Sequence, residues 1–399
     1  VTLFYALYVR LSPTSVRALL ALAVVFVMLG TTGWTAVRPH TVSGARAAAL
    51  TSWMHGTIGH HRLPSPNAAP ATIARFFASL TATQRLALAR RYPLVVGNLN
   101  GAPLALRYRA NRLSLSQFRA SEAARAVSDK LTPAGRKVAE RLSGRYASLL
   151  AGHRQILSFD PTGPGRAAEV FGDLSTARRI AVVVPGVDTD MLTFEKSSKP
   201  YSSPTGMARA LYDEEQNDQP GARTAVIAWA DYTTPSGVGL DASTGTLAER
   251  GAVRLEGLVQ ALPRKAEVSL FCHSYGSVLC GVAAPDLPHG RIGDIAVFGS
   301  PGMRVRRAAD LHTTANVWAA RDSSDWISDV PHVEFAGLGH GADPVSGSFG
   351  ARVVSAAGAS GHPGYFAPGT ASLANFAEIA LGDYQGVACK SGTACTDGL

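Results

Sequence analysis

The first apolar feature of the chain is a run rather than a rhythm. Ala18 to Val37 reads ALLALAVVFVMLGTTGWTAV, twenty residues without a charge, preceded by Arg10 and Arg17. A run of that length can span a bilayer, and the arginines favour a cytoplasmic N-terminal side. Residues 1–40 are therefore expected to be a signal or transmembrane anchor. The absence of a small-residue cleavage site directly after the run favours the uncleaved anchor. Residues 41–69 mix Pro, Gly, Ser, Thr and His with little periodicity and read as a linker holding a short helix around Ala45 to His55. The pair His60-His61 in it reads as solvated.

From Pro70 the apolar positions recur at spacings of three and four. This predicts helices over Thr72–Leu80, Thr81–Tyr92, Arg107–Ser114, Leu115–Leu131 and Pro133–Gly152, with Thr81 and Gln84 spaced as a capping box. Residues 70–154 thus form a helical N-terminal region, interrupted by the turn-rich stretch Val95 to Pro103. Beyond 155 the period changes. Short apolar strands are expected at Gln155–Phe159, Ala167–Phe171, Arg179–Val184, Ala225–Ala230, Val268–Cys272, Gly293–Phe298, Asn316–Ala320 and Ala351–Ser355. Helices at Thr205–Asp213, Ala242–Leu262, Tyr275–Ala284 and Ala371–Leu381 fall between and after them. Alternation of this kind builds a mostly parallel sheet with helices on both faces, over residues 155–388. Residues 389–399 remain as a tail.

The chemistry concentrates where one strand runs into one helix. Val268–Cys272 is followed by His273-Ser274-Tyr275-Gly276 and then by a small, apolar helix. A strand, a tight turn with a central serine and a helix make a nucleophile elbow, which lifts the serine hydroxyl above the sheet. The next amide, of Tyr275, then lies at a helix N-terminus, where it can face a developing oxyanion. Small residues flank the serine in this pattern because the turn brings backbones together. Gly276 fits, and Cys272 stands at the first glycine position. The bland alternative is a plain turn with a capping serine.

A serine needs a base, and the base needs a carboxylate to orient it. In an α/β-hydrolase the order along the chain is Ser, Asp or Glu, His. After the strand Asn316–Ala320 two aspartates compete, Asp322 and Asp325. After the last strand comes His362, in the position expected of the base; His340, before that strand, is the competitor. His273 is expected to pack or to line the entrance. The second oxyanion donor should follow the strand Arg179–Val184, which points to the Val187 amide. The segment Asp231 to Ala248 is placed to cover the site.

Charge and cysteines add compartment and partners. The net charge is +9, with 21 Lys and Arg against five Asp and Glu in residues 1–170 and 17 against 24 thereafter. The basic half could meet anionic lipid, but solvated helix faces explain it more simply. No nucleic-acid module is recognisable, and neither a metal site nor a cofactor is expected. Cys389 and Cys395 bracket a small polar loop and are expected to form a disulfide in an oxidising compartment. Cys272 and Cys280 are expected to be buried free thiols.

Several segments together resemble a known family. They are Arg90–Leu113, Ile180–Thr189, Phe271–Ser277, His340–Pro344, and Gly361–Phe366 followed by Pro368-Gly369-Thr370, Ser372-Leu373 and Asn375. They are similar to an actinobacterial α/β-hydrolase family long described as a domain of unknown function, and the likeness covers most of residues 75–385. The resemblance implies an α/β-hydrolase fold, Ser274 as nucleophile and His362 as base. It places the acid on an aspartate followed by proline and an apolar residue. That falls on Asp325-Trp326-Ile327, with Trp326 where the family has proline. The resulting expectation is an exported or membrane-anchored serine hydrolase acting on a lipid or small acyl ester through Ser274, His362 and Asp325. Two other readings stay open: a catalytically weak hydrolase-fold module for interactions at the cell envelope, and an amide or peptide hydrolase with the same triad.

Overall fold

Eight strands form one sheet in the computed structural model, which describes residues 44–399 apart from Ala336. They are β1 (Gln155–Asp160), β2 (Arg166–Gly172), β3 (Arg179–Val184), β4 (Thr224–Ala230), β5 (Glu267–His273), β6 (Ile292–Phe298), β7 (Asn316–Ala320) and β8 (Arg352–Val353). Their order across the sheet is β8-β7-β6-β5-β3-β4-β2-β1. From β8 to β4 every neighbouring pair is parallel, while β2 runs antiparallel to both β4 and β1. This is the α/β-hydrolase arrangement.

The central strands are buried along their length, as parallel strands covered on both faces must be. Successive side chains alternate between two layers. Ile180, Val182 and Val184 of β3 join the cluster with α7 (Thr246–Ala261) and α8 (Tyr275–Ala283). Ala181 and Val183 join the opposite one, with α6 (Pro204–Asp218) and α9 (Ala371–Leu381).

Register decides where the loops open. Val184 pairs with Cys272, His273 with Phe298, Phe298 with Ala320 and Ala319 with Val353. The loops after β3, β5, β6, β7 and β8 therefore leave the sheet at one level along its C-terminal edge, where ligands bind in open α/β sheets.

The helical region is α1 (Ala45–Met54), α2 (Pro70–Ala78), α3 (Ala82–Arg91), α4 (Leu104–Ala126) and α5 (Pro133–Leu150). Thr81 and Gln84 form the expected capping box, and the two helices read between 107 and 131 are one. The region belongs to the same compact unit as the sheet. The reason lies in the free edge of β1, whose backbone groups need partners. Asn98 pairs with both the N–H and the C=O of Phe159, Arg107 donates to the Leu157 carbonyl at 2.9 Å, and Asn111 donates to the Ile156 carbonyl at 2.9 Å. Within the stretch expected to be a linker, α1 is the expected short helix, and it packs on the helical region. Trp53 of α1 is fully buried among Ile73, Phe77 and Leu88, and its indole N–H donates to the Pro64 carbonyl at 2.7 Å. An indole that large contributes more apolar burial than a free linker could leave in water.

Part of the basic N-terminal half is paired across the fold. Arg145 and Arg154 meet Glu195 at 2.6 and 3.1 Å, and Arg46 meets Asp160 at 3.4 Å. At the other end of the chain the tail runs back along β8. Val354 bridges Cys389, and Cys389 and Cys395 form the expected disulfide. No helix among the described residues is long and apolar enough to cross a membrane, and the stretch Ala18–Val37 lies outside them.

Glu215 of α6 is buried with no hydrogen-bond partner for either carboxylate oxygen among the described residues, and burial pushes its carboxyl up to about 8. A carboxyl raised in the folded state holds its proton longer than in the unfolded chain, so stability falls as pH rises between the two values. Thermal unfolding of wild type should therefore weaken from about pH 4.3, the unperturbed glutamate value, up to about 8. Glu215→Gln should remove that loss and be the more stable protein above pH 7. Parallel pH profiles of the two proteins would show the burial to be harmless.

Candidate active site

Ser274 closes β5 and opens α8 at φ 53° and ψ −125°, a left-handed conformation that a non-glycine residue adopts only when its surroundings impose it. Its amide N–H donates to the Phe298 carbonyl at 3.0 Å, fixing the turn to β6. The elbow is tight on the opposite side too. A Cβ on Gly276 would lie 2.5 Å from the Val184 carbonyl oxygen and 2.7 Å from that of Pro185. A Cβ on Gly186 would lie 2.6 Å from the Cβ of Ser274. Glycine at both positions lets the loop after β3 run directly against the serine. Neither the Tyr275 nor the Val187 amide makes a backbone hydrogen bond among the described residues. Tyr275 directly follows Ser274, and Val187 directly follows Gly186, which lies against the serine.

Cys272 and Cys280 are joined in a disulfide, which corrects the expectation of free thiols. The elbow folds α8 back against its own strand, bringing the two Cα atoms to 6.5 Å although eight residues separate them. Cys272 at the first glycine position is in this way one end of a cross-link across the elbow.

His362 and Asp325 come together. Nδ1 of His362 donates to Asp325, at 2.9 Å from Oδ1 and 3.1 Å from Oδ2. A carboxylate on Nδ1 fixes the tautomer and leaves Nε2 as an acceptor. Nε2 is buried and has no hydrogen-bond partner among the described residues, Ser274 Oγ included. Contacts of that kind often tighten only when substrate is bound. Gly299, which follows the strand end facing Ser274, lies against the pair: a Cβ there would be 3.0 Å from Asp325 Oδ2 and 3.1 Å from His362 Nδ1. Asp325 also accepts from the Tyr365 hydroxyl at 2.6 Å and the Ile327 amide at 2.9 Å. Burial pushes its carboxyl upward, but the hydrogen bonds from His362, Tyr365 and Ile327 hold it below the usual carboxylate range.

The competing residues lie elsewhere. Asp322 accepts from the Gly361 amide and from Ser324, and does not touch the imidazole. His340 is buried edge-on to the Tyr275 ring, and its Nε2 donates to the Ala242 carbonyl at 2.6 Å. His273 stacks on Phe298 and donates from Nε2 to the His362 carbonyl at 2.9 Å. Burial, with His362 adding to it, lowers its pKa to about 3, so it is a neutral packing group. Trp326 packs against the imidazole at a tilt of 46°, ring centroids 4.7 Å apart. The segment Asp231–Ala248 is fastened to Tyr275 and to Asp188, the residue after Val187. Gly237 N–H donates to Asp188 Oδ1 at 2.7 Å, and the Tyr275 hydroxyl donates to the Thr244 carbonyl at 2.7 Å. Tyr365, singled out only as part of the resemblance, is the site residue that sequence reasoning left without a role. Among the described residues no cluster of three or more metal-ligating side chains occurs.

A family model described as an alpha/beta hydrolase matches residues 160–335, which include Val187, Ser274, Tyr275, Asp322 and Asp325. Two uncharacterized proteins of Mycobacterium tuberculosis strains, MT2140 and Rv2079, are each 27% identical over 378 residues, covering 80% of this chain and 57% of the relative. The chain thus spans little more than half the length of the curated relatives it matches. Their origin agrees with the actinobacterial family that the sequence segments resemble. Among solved structures, Est1E from Butyrivibrio proteoclasticus is 11% identical with a TM-score of 0.36, covering 59% of this chain and 100% of that one. XC6422 from Xanthomonas campestris, described as an a/b serine hydrolase without lid, is 14% identical with a TM-score of 0.32, covering 58% and 93%. At these scores neither bears on the chemistry of this chain.

Replacing Cys272 and Cys280 together by alanine should lower the unfolding free energy by about 2–3 kcal/mol, the chain-entropy value for so short a loop. Chemical denaturation measures it. An unchanged midpoint would mean that the cross-link constrains nothing.

Proposed function

We propose that this chain, an alpha/beta hydrolase in fold and in family match, is an exported serine hydrolase that cleaves esters of apolar acyl groups. The observation that carries the reading is the buried Asp325–His362 pair, with Nε2 unpartnered among the described residues, packed against His273, the residue before a serine held at a strained elbow. In this mechanism Ser274 Oγ attacks the ester carbonyl while His362 Nε2 takes its proton. The Tyr275 and Val187 amides bind the oxyanion. The imidazolium, held by ionised Asp325, returns the proton to the leaving alcohol. Water then repeats the sequence on the acyl-enzyme and releases the acid.

An apolar substrate suits the exposed side chains of the two segments tied to the site. Val238 and Leu240 lie on the loop fastened to Asp188, and all of Trp326, Val333 and Phe335 follow the acid loop; each is exposed, Phe335 at 82% and Trp326 at 45%. The two segments are bridged to one another through Thr244 and Leu338 and through His340 and Ala242. Exposed apolar side chains gathered at the mouth of a site mark where apolar ligand is received. This favours an acyl ester over a peptide. The interaction-module reading drew on Cys272 and Trp326 as departures from pattern. One is the end of a disulfide and the other packs on the base, so both have a place in a working site. The two disulfides support an oxidising compartment. Residues 18–37 would anchor the chain in a membrane.

Hydrolysis of p-nitrophenyl esters by the full chain tests this. Ser274→Ala should lower turnover about a thousandfold or more. Phe335→Ser with Leu240→Ser should leave the butyrate ester within about twofold and lower the palmitate ester about fivefold or more, since removing an apolar side chain from the path of a long acyl group weakens its binding by about 1 kcal/mol. Turnover indifferent to Ser274 would contradict the mechanism. Equal losses on both esters would contradict the role of these side chains.

A further inference from the structure

We propose that Tyr365 is a positioning residue: its hydroxyl clasps the loop that carries the acid to the loop that carries the base, and holds Asp325 in the orientation His362 needs. This rests on the reading of Ser274, His362 and Asp325 given above.

The two loops leave different strands, one after β7 and one after β8, so their relative position needs a cross-connection. Tyr365 supplies it from three residues beyond His362. Its hydroxyl donates to Asp325 Oδ2 at 2.6 Å and accepts the Asp322 amide N–H at 3.1 Å. The connection is returned in the opposite direction, because Asp322 Oδ2 accepts the Gly361 amide N–H at 2.9 Å. The aspartate that does not touch the imidazole therefore secures the loop beneath it.

Tyr365 itself cannot drift. Its ring is buried against Phe298 and His273, at centroid distances of 5.4 and 6.3 Å. Its carbonyl accepts the Ser372 hydroxyl at 2.7 Å, fixing the turn to the start of α9. Of the donors to Asp325, the Ile327 amide orients Oδ1 from within the acid's own loop, and His362 contacts both oxygens. Tyr365 is the shorter of the two contacts to Oδ2 and brings a buried ring from outside that loop. The titratable groups around the carboxylate are His362 and Tyr365 in contact, with His273 and Asp322 behind them. Losing the phenol donor leaves a buried carboxylate harder to keep ionised and, while ionised, a stronger partner for an imidazolium. Both consequences move the acid limb of the pH–rate profile upward.

The test is Tyr365→Phe in the full chain, alone and with Asp325→Asn, assayed on a short p-nitrophenyl ester beside Ser274→Ala. Expected are a loss in kcat of about tenfold to a hundredfold, as for a hydrogen bond to a charged group, with KM within about twofold. The acid limb of kcat/KM should move to higher pH. In the Asp325→Asn background the same substitution should change kcat by less than about twofold, because the partner it acts through is gone. A merely structural tyrosine would cost as much in both backgrounds and leave the pH limb in place, which overturns the proposal. Should Tyr365→Phe fail to fold, 3-fluorotyrosine at this position keeps the ring and strengthens the donor. The acid limb should then move to lower pH, and an unmoved limb overturns the clasp. Wild-type turnover that depends on Ser274 while both Tyr365 variants are silent defeats the clasp alone. Turnover indifferent to Ser274 defeats the underlying reading and the clasp with it.

Discussion

The close approach of backbones at the elbow sets everything else in place. α8 begins where β5 ends, and its first turn presses on the carbonyls of Val184 and Pro185 with only the hydrogen of Gly276 between them. A residue caught between a strand end and a helix start in that space has little conformational choice. Ser274 takes a left-handed conformation that costs on the order of 1–3 kcal/mol and is held there by the packing on either side. The buried helix, the register of β3 against β5 and the disulfide from Cys272 to Cys280 all resist relaxation of the same turn. Strain kept by this much surrounding structure points to a group that must be presented in one direction.

From that turn the Asp325–His362 pair is reached through the sheet edge. The strand ends of β5, β6 and β7 are level, so the loops after them meet without long excursions. Asp325 and His362 are 37 residues apart in sequence and in hydrogen-bond contact in space. Their environment is largely buried. The carboxylate is buried with donors on both oxygens, His273 is kept neutral against the imidazole, and Trp326 packs against the imidazole at a tilt. Low dielectric makes each of these contacts stronger than it would be in water, and also makes any missing partner expensive.

Much of this was legible in the chain because the local and the global patterns agree. RIAVVV can hardly be anything but a buried strand, and a strand running into His-Ser-Tyr-Gly and a small apolar helix has few other readings. The preference for His362 over His340 rested on which side of the last strand each falls on, and His362 is the one that meets Asp325. Asp325 and Asp322 were not distinguishable by position. Three residues on a loop decide which carboxylate meets an imidazole, and only the resemblance separated them. The Cys272–Cys280 cross-link was hidden because a separation of eight looks too long for one element and too short for two; the fold-back at the elbow makes it a contact. The packing of Trp53 was hidden by the polar, turn-rich composition around it. The role of Asn98, Arg107 and Asn111 on the edge of β1 depends on a partner strand 45–61 residues away, which no local pattern carries.

The central claim is that Ser274 is a nucleophile activated by His362. Peptide mapping after treatment with a fluorophosphonate probe tests it most directly, because the probe reports an activated serine without any choice of substrate. A single adduct on the peptide containing Ser274, lost in His362→Ala, is the expected result. An adduct on another serine, or none on the folded protein, would contradict it.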